Sequence, residues 1–147
     1  NKNCNLKGGK SFMKGILLIS HGQYAEAFKG SLKNDRGRSY KSVFLLPAAN
    51  RRPQSSSRKK LNALKPELDK YDEVLVFADL SAVPHATQRL LNSRRIRKFH
   101  FIAGMNFPMV LTAILSEGEA VDSLIAQGRE GIVDVKAFMA SMSSDED

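Results

Sequence analysis

"GILLISHGQYAEAF", residues 15–28, holds the junction on which the fold turns. "GILLIS" (15–20) is a short apolar run with no polar alternation, the pattern of a strand buried on both faces of a parallel sheet. From residue 23 onward, Tyr24, Ala27, Phe28 and Leu32 recur at helical spacing. A strand that passes at once into a helix is the repeating unit of α/β proteins. The residues at the joint are His21 and Gly22.

The same alternation continues outward. "SVFLL" (42–46), "EVLVFAD" (73–79) and "KFHFIAG" (98–104) read as further strands. Between them, "RKKLNALKPELDKY" reads as an exposed helix that Pro66 is expected to kink or split. "HATQRLLNS" reads as another helix, and so does "FPMVLTAILS" (107–116), with Pro108 near its start where proline is tolerated. "AVDSLIAQGRE" reads as a helix closed near Gly128. "GIVDVKAFM" (131–139) reads as a last short strand. "PAANRRPQSSS" is a Pro/Ser-rich surface loop. The expected fold is an open, mainly parallel, doubly wound α/β sheet of order 2-1-3-4 with a C-terminal edge strand. It spans residues 14–138, between a flexible leader (1–13) and a disordered acidic tail (139–147).

Composition bounds the possibilities. The 147 residues make one domain, with an ordinary 42% apolar content. No run approaches a membrane span, and the N-terminus has no apolar core of a secretory signal. The single cysteine, Cys4, makes no intrachain disulfide, which fits the reducing cytoplasm. Three histidines and one cysteine without ligand spacing give no metal site. The net charge of +8 is uneven: residues 1–60 carry fourteen Lys and Arg against two acids, residues 111–147 two against eight. Such asymmetry can mark a nucleic-acid binder. The basic cluster "RRPQSSSRKK" has no interleaved aromatics, however, so a solvated basic face is the favoured reading.

In a parallel sheet, sites gather at the carboxyl ends of the strands. His21 follows the first strand, Asp79 ends the third, and Gly104–Asn106 follows the fourth. In the 2-1-3-4 order His21 and Asp79 become neighbours. A carboxylate that accepts a hydrogen bond from one ring N–H leaves the other nitrogen free as a nucleophile. A helix start next to it supplies N–H groups for a phosphate. Those parts describe a phosphoryl acceptor, although a capping or core histidine fits the same spacing. His100, alternating within its strand, reads as a packing residue.

"ILLISHGQYAEAF", "VLVFADL", "FHFIAGMNFPMVLTAIL" and "AQGREGIVDVKAF" resemble, in order and spacing, the mannose-family EIIA domains of the phosphoenolpyruvate-dependent sugar phosphotransferase system. The resemblance implies that His21 takes a phosphoryl group from the phosphocarrier HPr and passes it to a IIB component, which serves the membrane IIC and IID components. It implies that Asp79 orients the His21 ring and that neither cofactor nor metal is needed. It also implies a cytoplasmic homodimer in which the last strand, about 131–137, crosses to the partner's sheet. Gly22, Ser81, His85, Gly104 and Asn106 are expected to complete the site around His21.

One stretch departs from the family pattern. After the aspartate, members carry a Gly-Gly-Ser-Pro-like turn, whereas this chain reads "DLSAVPHAT". An ungapped match sets Ala82 and Val83 on the glycines, Pro84 on the serine and His85 on the proline. A proline cannot donate a backbone N–H, and the serine hydroxyl is lost. Ser81 would replace it if the register slips by one. Two alternatives therefore stand beside the phosphocarrier: an EIIA-like subunit of a dihydroxyacetone-kinase-type phosphorelay, and a non-catalytic EIIA-like protein that binds or regulates.

Overall fold

A computed structural model describes residues 12–32, 43–47, 55–80, 99–116 and 118–144. Four strands form one sheet: β1 (Lys14–Ser20), β2 (Val43–Pro47), β3 (Glu73–Ala78) and β4 (Phe99–Ala103). Every pairing is parallel and the order is β2-β1-β3-β4, as the alternating sequence leads one to expect. Five helices are described: α1 (Tyr24–Leu32), α2 (Ser55–Leu68), α3 (Phe107–Leu115), α4 (Val121–Glu130) and α5 (Val135–Ser144). The helix expected at "HATQRLLNS" and most of the Pro/Ser-rich loop lie outside the described residues.

The two faces of the sheet explain why β1 and β3 carry no polar alternation. Ile16, Leu18, Leu75 and Phe77 point into a core shared with Ala25 and Phe28 of α1, Met109 and Val110 of α3, and Leu124 of α4. Leu17, Ile19, Val74 and Val76 point the other way, onto Leu61 and Leu68 of α2. All eight strand residues are at most 2% exposed. Each such side chain contributes about 1.5–3 kcal/mol on burial, so a polar residue in these positions would be costly.

α2 starts at Ser55, earlier than the sequence suggests, and Pro66 lies inside it without splitting it. The helix ends two residues later, so the proline removes one bond of a closing turn. Leu61, Leu64 and Leu68 hold the helix on the sheet across that gap. Gly128 likewise does not close α4, which runs to Glu130 and is capped at Gly131.

The C-terminal segment corrects the sequence reading. Residues 131–139 were expected to form a strand that a dimer exchanges. The structure has a turn at Gly131 and then helix α5. Asp134 starts it: its Oδ1 accepts from the backbone N–H of Lys136 (3.0 Å) and of Ala137 (3.2 Å), the bonding of a helix cap. The residues that follow, Lys136, Ala137, Met139 and Ala140, favour helix. Ile132, Val133 and Val135 imitate a strand only until that cap is recognised. α5 runs across the boundary placed at residue 139. Its Val135, Phe138, Met139 and Met142 are exposed at helical spacing.

Candidate functional site

Ser20 is the last residue of β1 and is fully buried. Its Oγ accepts the backbone N–H of Ala25 (2.7 Å) and so caps α1 across the turn His21–Gly22–Gln23. Gly22 has φ +57° and Gly104, after β4, φ +77°, the left-handed region where glycine is at ease. The strand end, the cap and the turn together fix where His21 leaves the sheet.

Asp79 meets it from β3. The Asp79 backbone N–H donates to Ile19 O (3.2 Å), which sets the acid beside the end of β1. Its carboxylate then collects three donors. The His21 backbone N–H donates to Oδ2 (2.7 Å), and the Leu80 backbone N–H donates to Oδ1 (2.8 Å). The His21 ring Nδ1 lies 3.2 Å from Oδ1 and 3.1 Å from Oδ2. Burial pushes the Asp79 carboxyl up. The bonds from the His21 backbone, the His21 ring and Leu80, with the charge of the ring, outweigh that and hold it below its ordinary value. A neutral ring that donates its Nδ1–H to this carboxylate keeps a lone pair on Nε2. The His21 side chain is 40% exposed, against 18% for Asp79.

The turn after β4 closes the third side. Met105 N–H donates to Ala78 O (2.9 Å), holding that turn on the end of β3. Asn106 caps α3: its Oδ1 accepts Met109 N–H (3.1 Å). Its Nδ2 donates to Gly128 O of α4 (2.8 Å). Phe107, in the first turn of α3, lies 5.1 Å from Phe28, which itself meets Tyr24 edge-on at 5.8 Å.

The expected residues thus divide. His21 and Asp79 are in direct contact, with Gly22 beside them and Gly104 on a neighbouring strand end. Asn106 is on the same edge, but both ends of its amide are engaged within the protein. Ser81 and His85 lie outside the described residues. Sequence reasoning missed Ser20, whose signal was a lone hydroxyl at the end of an apolar run. It also missed the capping role of Asn106, which Asn followed by Phe-Pro does signal.

The comparisons with known proteins bear on the family and the fold. Residues 15–127 match the EIIA-man family model, described as "PTS system fructose IIA component". The chain belongs to this family. Among solved structures, the IIA chain is similar to a phosphotransferase system component EIIA from Streptococcus agalactiae (26% identity, TM-score 0.70, covering 85% of this chain and 99% of that one). It is similar in fold to the IIA protein associated with the fucose utilization operon from Streptococcus pneumoniae (21% identity, TM-score 0.73, covering 88% and 98%). A third is the mannose/sorbose specific IIA subunit from Enterococcus faecalis (23% identity, TM-score 0.66, covering 84% and 96%). A search of curated proteins finds no match. This chain is therefore an EIIA-type component of a sugar phosphotransferase system. Among the described residues, no helix is long and apolar enough to cross a membrane.

Proposed function

We propose that the IIA chain receives a phosphoryl group from phospho-HPr on His21 Nε2 and passes it to a IIB component during sugar uptake. The observation that carries this reading is the His21–Asp79 pair at the strand ends, with Nδ1 on the carboxylate and the ring partly exposed. In the forward step the Nε2 lone pair attacks phosphorus. A new P–N bond forms as the P–N bond to the donor histidine breaks, and the donor imidazole leaves with that electron pair. The phosphorylated His21 ring keeps its Nδ1 proton and becomes cationic, and the adjacent Asp79 carboxylate stabilises that charge. The second transfer, to IIB, reverses the bonding. The phosphohistidine is itself the energy-rich intermediate, so no cofactor enters.

Gly22 and Gly104 leave backbone room for the phosphoryl group, and in the sequence after Asp79 Ser81 and His85 are the side chains able to donate to it. The exposed stripe on α5 suits a homodimer, since an apolar face left in water favours association. Light scattering then gives a mass near twice 16.3 kDa. The reaction takes place in the cytoplasm, where HPr resides.

The test is phosphorylation in the presence of phosphoenolpyruvate, enzyme I and HPr. One acid-labile phosphoryl mass is expected on the wild type and none on His21→Ala. An unmodified wild type facing an active HPr donor refutes the reading, and favours the binding or regulatory role that the altered Ala82–His85 stretch suggests.

A further inference from the structure

We propose that Asn106, Gly128 and Gly131 form a clasp that positions the reactive pair, with Asn106 acting through Asp79 rather than on the phosphate. This rests on the phosphocarrier reading for its effect on rate, though not for its geometry. Both ends of the Asn106 amide are engaged: Oδ1 takes Met109 N–H and Nδ2 gives to Gly128 O, 22 residues on. The amide carries its acceptor and its donor on separate atoms, so the two bonds run to different elements, one within α3 and one to α4.

The opposing surface of α4 is cut to receive it. A Cβ on Gly128 would lie 3.1 Å from the Met109 Cβ and Sδ and 3.3 Å from Asn106 Nδ2. A Cβ on Gly131 would lie 2.7 Å from Pro108 Cγ, closer than side chains tolerate. The two glycines stand three residues apart, so both face the first turn of α3. The "GREG" spacing in the sequence thus answers the "NFPM" segment.

From the clasp a short bonded chain leads to His21. Asn106 fixes the turn, Met105 N–H holds that turn to Ala78 O, and the next residue is Asp79, whose N–H is on Ile19 O and whose carboxylate holds the His21 ring. If the clasp loosens, Asp79 loses one side of its support.

The experiment compares Asn106→Ser and Gly128→Ala with Leu124→Ala, which empties a buried site of α4 but removes neither bond of the clasp. The readout is the nitrogen NMR shifts of the His21 ring in unphosphorylated protein, which report the Nδ1–H tautomer, with kinetics of transfer from phospho-HPr beside them. Asn106→Ser and Gly128→Ala should move or broaden the His21 signals. They should also lower kcat about tenfold with KM nearly unchanged. Leu124→Ala should lower stability but leave the ring signals in place. Wild-type ring signals in both clasp variants overturn the proposal, and so does an equal disturbance in Leu124→Ala. If Gly128→Ala does not fold, Asn106→Ser decides alone. A wild type that takes no phosphate refutes the phosphocarrier reading, while the ring shifts still judge the clasp.

Discussion

Among the described residues, two histidine–carboxylate contacts of nearly the same length bracket one strand. At the carboxyl end of β3, Asp79 lies 3.1 Å from His21 Nδ1. At its amino end, Glu73 lies 3.2 Å from His100 Nε2. Exposure is similar too: 40% and 18% for the first pair, 41% and 22% for the second. The difference lies in the backbone. Asp79 is tied by N–H groups of His21 and Leu80, so ring and carboxylate have a single relative posture. Among the described residues, Glu73 and His100 meet through their side chains only, on neighbouring strands. A short distance between a base and an acid is therefore weak evidence for chemistry. Fixed backbone donors at the carboxyl edge of a parallel sheet are much stronger evidence.

The sharpest way to break the contrast is Asp79→Asn. One carboxylate oxygen becomes an NH2 group facing an N–H donor. Transfer to His21 should slow by roughly one to two decades, and stability should fall by about 1–3 kcal/mol. Stopped-flow phosphorylation and urea unfolding measure the two effects, and an unchanged rate would remove Asp79 from the mechanism.

Acid supplies the same perturbation reversibly. The folded protein holds the Asp79 carboxyl below its ordinary value. Its contribution is therefore fully present above that ordinary value and is lost as pH falls through the lowered one. The stability gap between wild type and Asp79→Asn should accordingly be constant near neutrality and close in acid. A gap that widens as pH falls would reverse the sign of the argument.

A smaller effect is expected one residue before His21. Ser20→Ala removes the buried cap of α1 and leaves the Ala25 N–H without its acceptor. The cost should be about 1 kcal/mol by thermal or urea unfolding, with the His21 ring less sharply positioned. The smallest effect belongs to the other pair. Glu73→Gln should change stability by less than about 0.5 kcal/mol, since the amide can still bond the partly exposed His100 ring, and should leave phosphorylation untouched. A loss of transfer in Glu73→Gln would show that the two ends of β3 are not independent.

Much of this was legible in the sequence because burial leaves a plain mark. The unbroken apolar runs of β1 and β3 reveal strands covered on both faces, and the alternation with helices gives the parallel order. His21 and Asp79 were found because the fold rule says where strand ends gather. What was not legible depended on single hydrogen bonds. Asp134 turns "VKAFM" from a strand pattern into a helix by capping it. The capping of α3 by Asn106 and its bond to Gly128 O, a backbone atom that no composition reveals, were not legible either. His100 was read as a packing residue, yet its ring is substantially exposed beside Glu73. Strand alternation tells which face a side chain takes but not whether a helix covers that end of the sheet.

The contact between His21 and Asp79 spans 58 residues of chain. Parallel strands cannot be joined by a tight turn, and pairings this remote form late because the intervening loop must first be closed. During synthesis the histidine therefore emerges well before its acid partner, and α1 is complete while β3 has yet to be made. Until β3 docks beside β1, the ring has neither a fixed tautomer nor a fixed direction. The His21–Asp79 pair is thus a timer of assembly: an unfinished chain carries the histidine but not the carboxylate that orients its ring.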